Sequence, residues 1–120
     1  MRPGAASAVV EQFNEAFNRH NVDAIMALMT DDCVFENTRP APDGTRIAGH
    51  TAVRAFWDEF FRRSPDAHFE TEDLFESGDR CVVRWVYRWV RDGVQGHVRG
   101  VDLFLVRDGK VAEKLSYVKG

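Results

Sequence analysis

Two periodicities divide this chain of 120 residues near its middle. Up to about residue 64 the apolar positions recur at helical spacing; beyond it they alternate. Val10, Phe13 and Phe17 share one helical face, with Val9 and Ala16 beside them, and Ser7 is placed to cap that helix. Asn21 can cap a second, short helix whose buried face is Ile25, Leu28 and Met29, and Asp31 and Asp32 end it. Residues 33–37 read as a short strand. Residues 38–49 carry Pro40, Pro42, Gly44, Gly49 and Asp43, the composition of a loop. In the third helix Val53, Phe56, Trp57, Phe60 and Phe61 follow the i, i+3, i+4, i+7, i+8 pattern of a buried face. Thr51 can cap its start, and Ser64 before Pro65 stops it.

The second half is predicted as strands over residues 69–76, 81–91, 97–106 and 110–118. Turns are expected at 77–79, 92–96 and 107–109, each rich in Gly and Asp. Along the second of these strands Trp85, Tyr87 and Trp89 share one face and Arg84, Val86 and Arg88 the other. Helices first and strands after predict an α+β fold, a curved antiparallel sheet with helices on one face, in a single domain over residues 1–120. The strand around Val101, Leu103 and Leu105 is apolar on both faces except for Asp102, so both faces need a cover. Helices cover one; a second copy of the chain is the simplest cover for the other, and a homodimer through the sheet is expected.

Hydrophobic residues make up 44% of the chain, enough for one core, and the net charge is -3. That balance gives no footprint for nucleic acid or for an anionic membrane. No apolar run nears the roughly 20 residues that span a bilayer. Residues 1–8 carry no apolar signal core, and Cys33 and Cys81 belong to no Cys-x-x-Cys pair, so a reduced, cytoplasmic protein without structural zinc is expected. The four histidines lack His-x-His or His-Glu-x-x-His spacing, which argues against a metal centre.

Several segments, in order, resemble the nuclear transport factor 2-like superfamily, most closely its SnoaL-like branch. They are Val9-Val10-Glu11-Gln12-Phe13, residues 21–28, Thr30-Asp31-Asp32-Cys33-Val34-Phe35, residues 49–56, residues 78–85 and residues 100–111. The resemblance implies a cone-shaped sheet wrapped around three N-terminal helices, with one internal apolar pocket. It does not imply one activity, because the superfamily holds isomerases, cyclases, epoxide hydrolases, dehydratases and binders. Ketosteroid isomerases use a tyrosine, a base aspartate and a protonated oxyanion aspartate. Those positions fall here on Phe13, Asn37 and Asp102, so one of three is kept. The Asp-Arg-Asp set of limonene epoxide hydrolases is also broken, its last aspartate falling on Ser116. SnoaL-like cyclases, which use a single acid on the strand that carries Asp102, are the better resemblance.

Asp102 is the first candidate for chemistry. Burial among Val101, Leu103 and Phe104 disfavours its charged form unless a partner compensates, the setting in which carboxyl groups do acid–base work. Lys114 is the natural partner. A three-residue loop over 107–109 opposes Asp102 to Lys114, whereas a two-residue Asp108-Gly109 turn opposes it to Leu115; the first register is preferred. In it Lys114 would hold Asp102 ionised as a base, or the pair would serve only to fix register. Asn37, at the end of the first strand, is expected to orient a substrate carbonyl. His97, near a turn, is a weaker candidate than any of these. Phe13, Phe17, Phe56, Phe60, Trp85, Tyr87, Phe104 and Ser116 are candidates for the pocket wall. The function expected is a cofactor-independent acid–base enzyme, cyclase- or isomerase-like, acting on a hydrophobic, carbonyl-bearing small molecule. The alternatives are a binding module with the same pocket and no chemistry, and an interaction subunit with a filled core.

Overall fold

A computed structural model describes residues 5–120. Three helices, α1 (Ala5–Asn18), α2 (Val22–Ala27) and α3 (His50–Arg63), lie against the inner face of one sheet. Its strands are β1 (Met29–Glu36), β2 (Arg46–Ala48), β3 (Phe69–Ser77), β4 (Arg80–Arg91), β5 (Val94–Arg107) and β6 (Lys110–Val118). They run in the order β2-β1-β6-β5-β4-β3, curved and unclosed. The fold class is the α+β expected, but the sheet is mixed, because β1 pairs with β6 in parallel. An antiparallel sheet was expected because each later strand follows a tight turn. β1 instead reaches β6 across the whole chain, after the helices, and neither turn nor alternation reports that pairing.

The helices pack as their patterns require. Val10, Phe13, Ala16 and Phe17 of α1 and Val53, Trp57 and Phe61 of α3 are buried, while Phe56 and Phe60 lie at the margin of the core. Asn21 caps α2, its Oδ1 accepting from the Ala24 N–H at 3.0 Å. Two expected caps are not used. Ser7 lies within α1 and donates its hydroxyl to Glu76, and α3 starts at His50 after Gly49, with no side-chain cap. α2 ends at Ala27 and buries Ile25 and Met26; Met29 already belongs to β1, which starts four residues before the expected strand. Asp31 and Asp32 do not break that strand because they are exposed, with Asp32 bonded to Thr30 and paired with Arg107. The expected loop at 38–49 contains the short strand β2.

Both later hairpins close on two-residue Asp-Gly turns. Asp92 and Gly93 have φ of 51° and 76°, and Asp108 and Gly109 have φ of 54° and 75°. Positive φ at both central residues suits the right-handed twist of the strands they join. β5 therefore begins at Val94, earlier than expected.

On the outer face of β4, Val86 is fully buried between exposed arginines. Its neighbours across the sheet are Glu70 and Arg99, within a set of ion pairs joining Arg84 and Arg99 to Glu72 and Arg88 to Glu70. Cys33 and Cys81 are free and buried, and burial pushes the Cys81 thiol up to about 11. On the inner face Gly100 opposes Trp85, and the indole lies over it. A Cβ at Gly100 would stand 2.2 Å from the Tyr117 carbonyl oxygen and 2.6 Å from Trp85 Cζ2. Gly100→Ala should therefore cost about 1–3 kcal/mol through overpacking, measured as a lower denaturation midpoint with an unchanged slope.

Candidate active site

The site forms where β5 and β6 run side by side under α1 and α3. The turn between these strands is the two-residue form, yet Asp102 faces neither Lys114 nor Leu115. It opposes Ser116, and Lys114 opposes Phe104. The register slips between Leu105 and Val106, leaving Ala112 as an extra residue in β6. Without that bulge the alternation from the turn would point Glu113 inward and Lys114 outward. With it Glu113 turns out, 3.2 Å from Arg80, and Lys114 turns in. The two neighbours Val111 and Ala112 are both buried, which strict alternation does not allow. Both registers weighed from the sequence are thus corrected, while the contact expected between Asp102 and Lys114 is present, as a diagonal pair.

Lys114 Nζ lies 3.3 Å from Asp102 Oδ2 and donates to Ser116 Oγ at 3.1 Å. Ser116 Oγ in turn donates to Asp102 Oδ1 at 2.7 Å. The three side chains close a ring of contacts in which both carboxylate oxygens are engaged. Asp102 is 5% and Lys114 8% exposed. Aromatic faces complete the lysine's surroundings, with Nζ 4.6 Å from the ring centre of Phe35, 5.6 Å from Trp57 and 6.0 Å from Phe104. A buried charge without a partner is costly, so these contacts decide whether the pair is tolerated.

Beside the pair lies a small, partly open cavity of about 20 Å³, room for about one water or one ligand oxygen. Its walls are Asn14, Phe17 and Asn18 of α1, Phe69 and Thr71 of β3, Val83 and Trp85 of β4, Asp102 and Lys114. Of the expected pocket-wall residues Phe17 and Trp85 line it, together with the expected catalytic pair Asp102 and Lys114. Phe13, Phe56, Phe60, Tyr87, Phe104 and Ser116 do not. Phe13 packs edge-on against Phe104, Phe56 and Phe60 stack beside Phe35 and Phe17, and Tyr87 stacks on Phe69. These rings fill space that the expected pocket was to occupy. Ser116 touches the site through Asp102 and Lys114.

Asn37 is not brought to the cavity. Its Oδ1 accepts from the Thr45 N–H at 2.8 Å and the Arg39 N–H at 3.2 Å, tying the ends of the loop before β2. An Asn that satisfies backbone donors in its own loop is a frequent turn device, and the strand-end position alone could not distinguish that role. Asn14 and Thr71 escaped notice because they lie on polar positions of an amphipathic helix and a half-exposed strand. Asn18 is committed to the backbone of Phe69, which it binds at both N–H and carbonyl. His97 is exposed and lines a separate open groove of about 510 Å³ with Asp66, Arg88, Trp89 and Gly96. Among the described residues no group of three or more His, Cys, Asp or Glu could hold a metal ion, and no helix is long and apolar enough to cross a membrane.

A curved sheet capped by three helices agrees with the comparisons. The sequence model of the SnoaL-like domain matches residues 10–114. The chain belongs to the SnoaL-like family. Among solved structures, an NTF2-like protein of unknown function from Mesorhizobium loti is 40% identical. It matches over 100% of this chain and 95% of its own, with a TM-score of 0.85. A candidate polyketide cyclase from Xanthomonas campestris pv. campestris is 23% identical over 96% of this chain and 90% of its own, TM-score 0.74. A candidate ketosteroid isomerase from Kribbella flavida is 20% identical over 97% and 78%, TM-score 0.80. At those identities the last two are similar in fold alone. No curated protein matches the chain.

The pair makes a direct prediction. Asp102→Asn leaves the Lys114 ammonium buried without its counterion and should destabilise by about 3–5 kcal/mol. Adding Lys114→Met removes both charges and should recover most of that loss. Equilibrium denaturation of the wild type and the two variants measures both steps, and a double variant as unstable as the single one would contradict the pairing.

Proposed function

We propose that this SnoaL-like protein is a cofactor-independent acid–base enzyme of cyclase or isomerase type, acting on a carbonyl-bearing small molecule. The observation that carries this reading is Asp102, a nearly buried carboxylate on the cavity wall with a fixed counterion. Phe17, Phe69, Val83 and Trp85 give the mouth its apolar character. In the proposed step the Asp102 carboxylate takes a proton from the carbon next to the carbonyl. The C–H electron pair forms a C–C double bond and the carbonyl π pair moves to oxygen, giving an enolate. Where a double bond adjoins that carbon, return of the proton to the far end of the dienolate shifts the double bond; where a second carbonyl lies in reach, the enolate carbon attacks it, its π pair moves to oxygen, and the proton on Asp102 passes to the alkoxide as the ring closes. Ser116 and Lys114 position the carboxylate.

The reading without chemistry, a binding module, is favoured by one observation: both oxygens of Asp102 already have partners. Exchange of carbon-bound protons separates the two. With 2-pentanone in heavy water, the wild type should speed α-proton exchange above the buffer rate, followed by proton NMR. Asp102→Asn with Lys114→Met, which removes the base without stranding a charge, should lower that rate by about 100-fold or return it to background. Exchange at the buffer rate with a ketone that binds would sink the enzyme reading.

A homodimer through the outer face belongs to the same proposal. Pairing places Phe75, Val82, Leu103 and Leu115 in one row across four strands, with Val101 and Tyr117 in the next. Phe75 in the first row is 58% and Tyr117 in the second 50% exposed, apolar surface that water does not favour. Light scattering at tens of micromolar should give twice the 13.7 kDa chain mass. Leu103→Glu should give the single mass, and a single mass for the wild type would refute the dimer.

A further inference from the structure

The cavity beside Asp102 has room for about one water, and an organic ligand needs more. A wall has to give way, and the walls are not held alike. β4 and β5 are bonded to strands on both sides, and the apolar face of α1 is buried. β3 is the edge of the sheet, bonded to β4 alone, and none of its nine residues is buried. Its ladder to β4 breaks between Thr71 and Asp73, where Glu72 is an extra residue. Thr71, beside that break, is part of the cavity wall.

Two clips hold β3 to α1. At one end the Ser7 hydroxyl donates to Glu76. At the other, Asn18 Nδ2 donates to the Phe69 carbonyl and the Phe69 N–H donates to Asn18 Oδ1, both at 2.9 Å. Between the clips Asn14 and Thr71 line the opening, and among the described residues no side-chain hydrogen bond joins them. On the opposite face of the sheet the bulge is strapped down. Glu72 accepts from Arg99 Nε at 3.2 Å and from its Nη2 at 3.4 Å, and Arg84 Nε lies 3.7 Å from the same carboxylate. Arg99 stands on β5, so the strap crosses β4, where its cross-strand neighbour is the fully buried Val86. A single exposed ion pair holds little, but a forked contact shared by two arginines is the stronger kind.

We propose that β3 is the gate of the cavity and that the Glu72 bulge, tied down by Arg99 and Arg84, is its latch. With the strap released, the middle of β3 lifts from α1 between the two clips, and the cavity widens to admit a ligand. This rests on reading the cavity as the ligand site and adds how that site is reached. The bulge keeps the motion local, because the ladder is already interrupted where the segment has to lift.

A thiol placed on the closed wall reports the opening. Val83 lines the cavity and is 2% exposed, so the thiol of Val83→Cys is out of reach of methyl methanethiosulfonate until a wall moves. Cys33 and Cys81 are buried and off the cavity wall, and they report global unfolding in the same sample. Mass spectrometry of the cysteine peptides should show the introduced thiol reacting about tenfold faster than either, with little dependence on dilute urea, the mark of a local opening. Adding Glu72→Ala should raise its rate about fivefold. Adding Glu113→Ala, which breaks the exposed pair between Arg80 of β4 and Glu113 of β6, should leave that rate unchanged. Reaction at the rate of Cys33 and Cys81, or with the full urea dependence of unfolding, overturns the gate. Fast reaction that Glu72→Ala leaves unchanged, or that Glu113→Ala raises as much, overturns the latch. Where Val83→Cys does not fold, hydrogen exchange decides: Glu72→Ala in the wild type should speed the amides of residues 70–74 about fivefold and Glu113→Ala should not, and equal effects overturn the proposal. No substrate enters these measurements, so failure of the gate leaves the acid–base reading standing, and failure of the ketone exchange assay leaves the gate standing.

Discussion

A lysine and an aspartate that must be buried together dominate the interior of this protein. Neither charge is tolerable alone in a core of aromatic rings, and together they need a short approach and satisfied hydrogen bonds. The sheet meets that requirement with one extra residue. The bulge at Ala112 turns Lys114 inward and Glu113 outward, and it sets Ser116 opposite Asp102. β1 then lies parallel to β6 with Phe35 beside Lys114, while α3 places Trp57 near the same ammonium. The mixed pairing of the sheet and the seating of α3 are thus both tied to where Lys114 points.

The bulge also marks where sequence reading stopped. Helix α3, strand β6 and the cap at Asn21 were legible because each rests on a local pattern: a helical period, an alternation, a side chain two or three residues from the N–H it serves. Asp102 was legible because a charge stood alone in an apolar strand. Its contact with Lys114 was anticipated from a register that does not occur. A bulge shifts a register by one residue and costs the alternation only one break, here the buried pair Val111 and Ala112. Parallel pairing of β1 with β6 leaves no local trace at all.

The expected pocket is only partly lined by the residues the sequence offered, for a different reason. An aromatic residue at a core position reads the same whether it borders a void or fills one. Phe13, Phe17, Phe56, Phe60 and Phe61 make edge-on and stacked contacts with one another and with Phe104, Trp57 and Phe69, and such contacts consume the interior. What remains open is decided by the small and polar members of the wall, Asn14, Asn18, Thr71 and Val83. The informative residues were therefore the ones least conspicuous in the sequence. Asn37 shows the converse, a conspicuous polar residue absorbed by its own loop.

The geometry around Lys114 bears on whether the pair can take part in chemistry at all. A purely structural ion pair is useful only while both charges persist, and protonation of the carboxylate would leave its partner stranded. Part of that loss is cushioned for Lys114. Without the charge on Asp102 it keeps a hydrogen bond to Ser116 and the faces of Phe35, Trp57 and Phe104, each within 6.0 Å of Nζ. Those contacts would lower the cost of a moment at which Asp102 carried a proton, and they serve a purely structural pair as well. Asp102 in turn keeps the Ser116 hydroxyl, which can accept from a protonated carboxyl as readily as it donates to an ionised one. The ring of three polar side chains thus keeps a partner for the ammonium and the carboxyl on each side of a proton transfer, leaving only the Ser116 O–H without an acceptor in the ring. The proposed acid–base role would need such an arrangement, which burial alone does not supply.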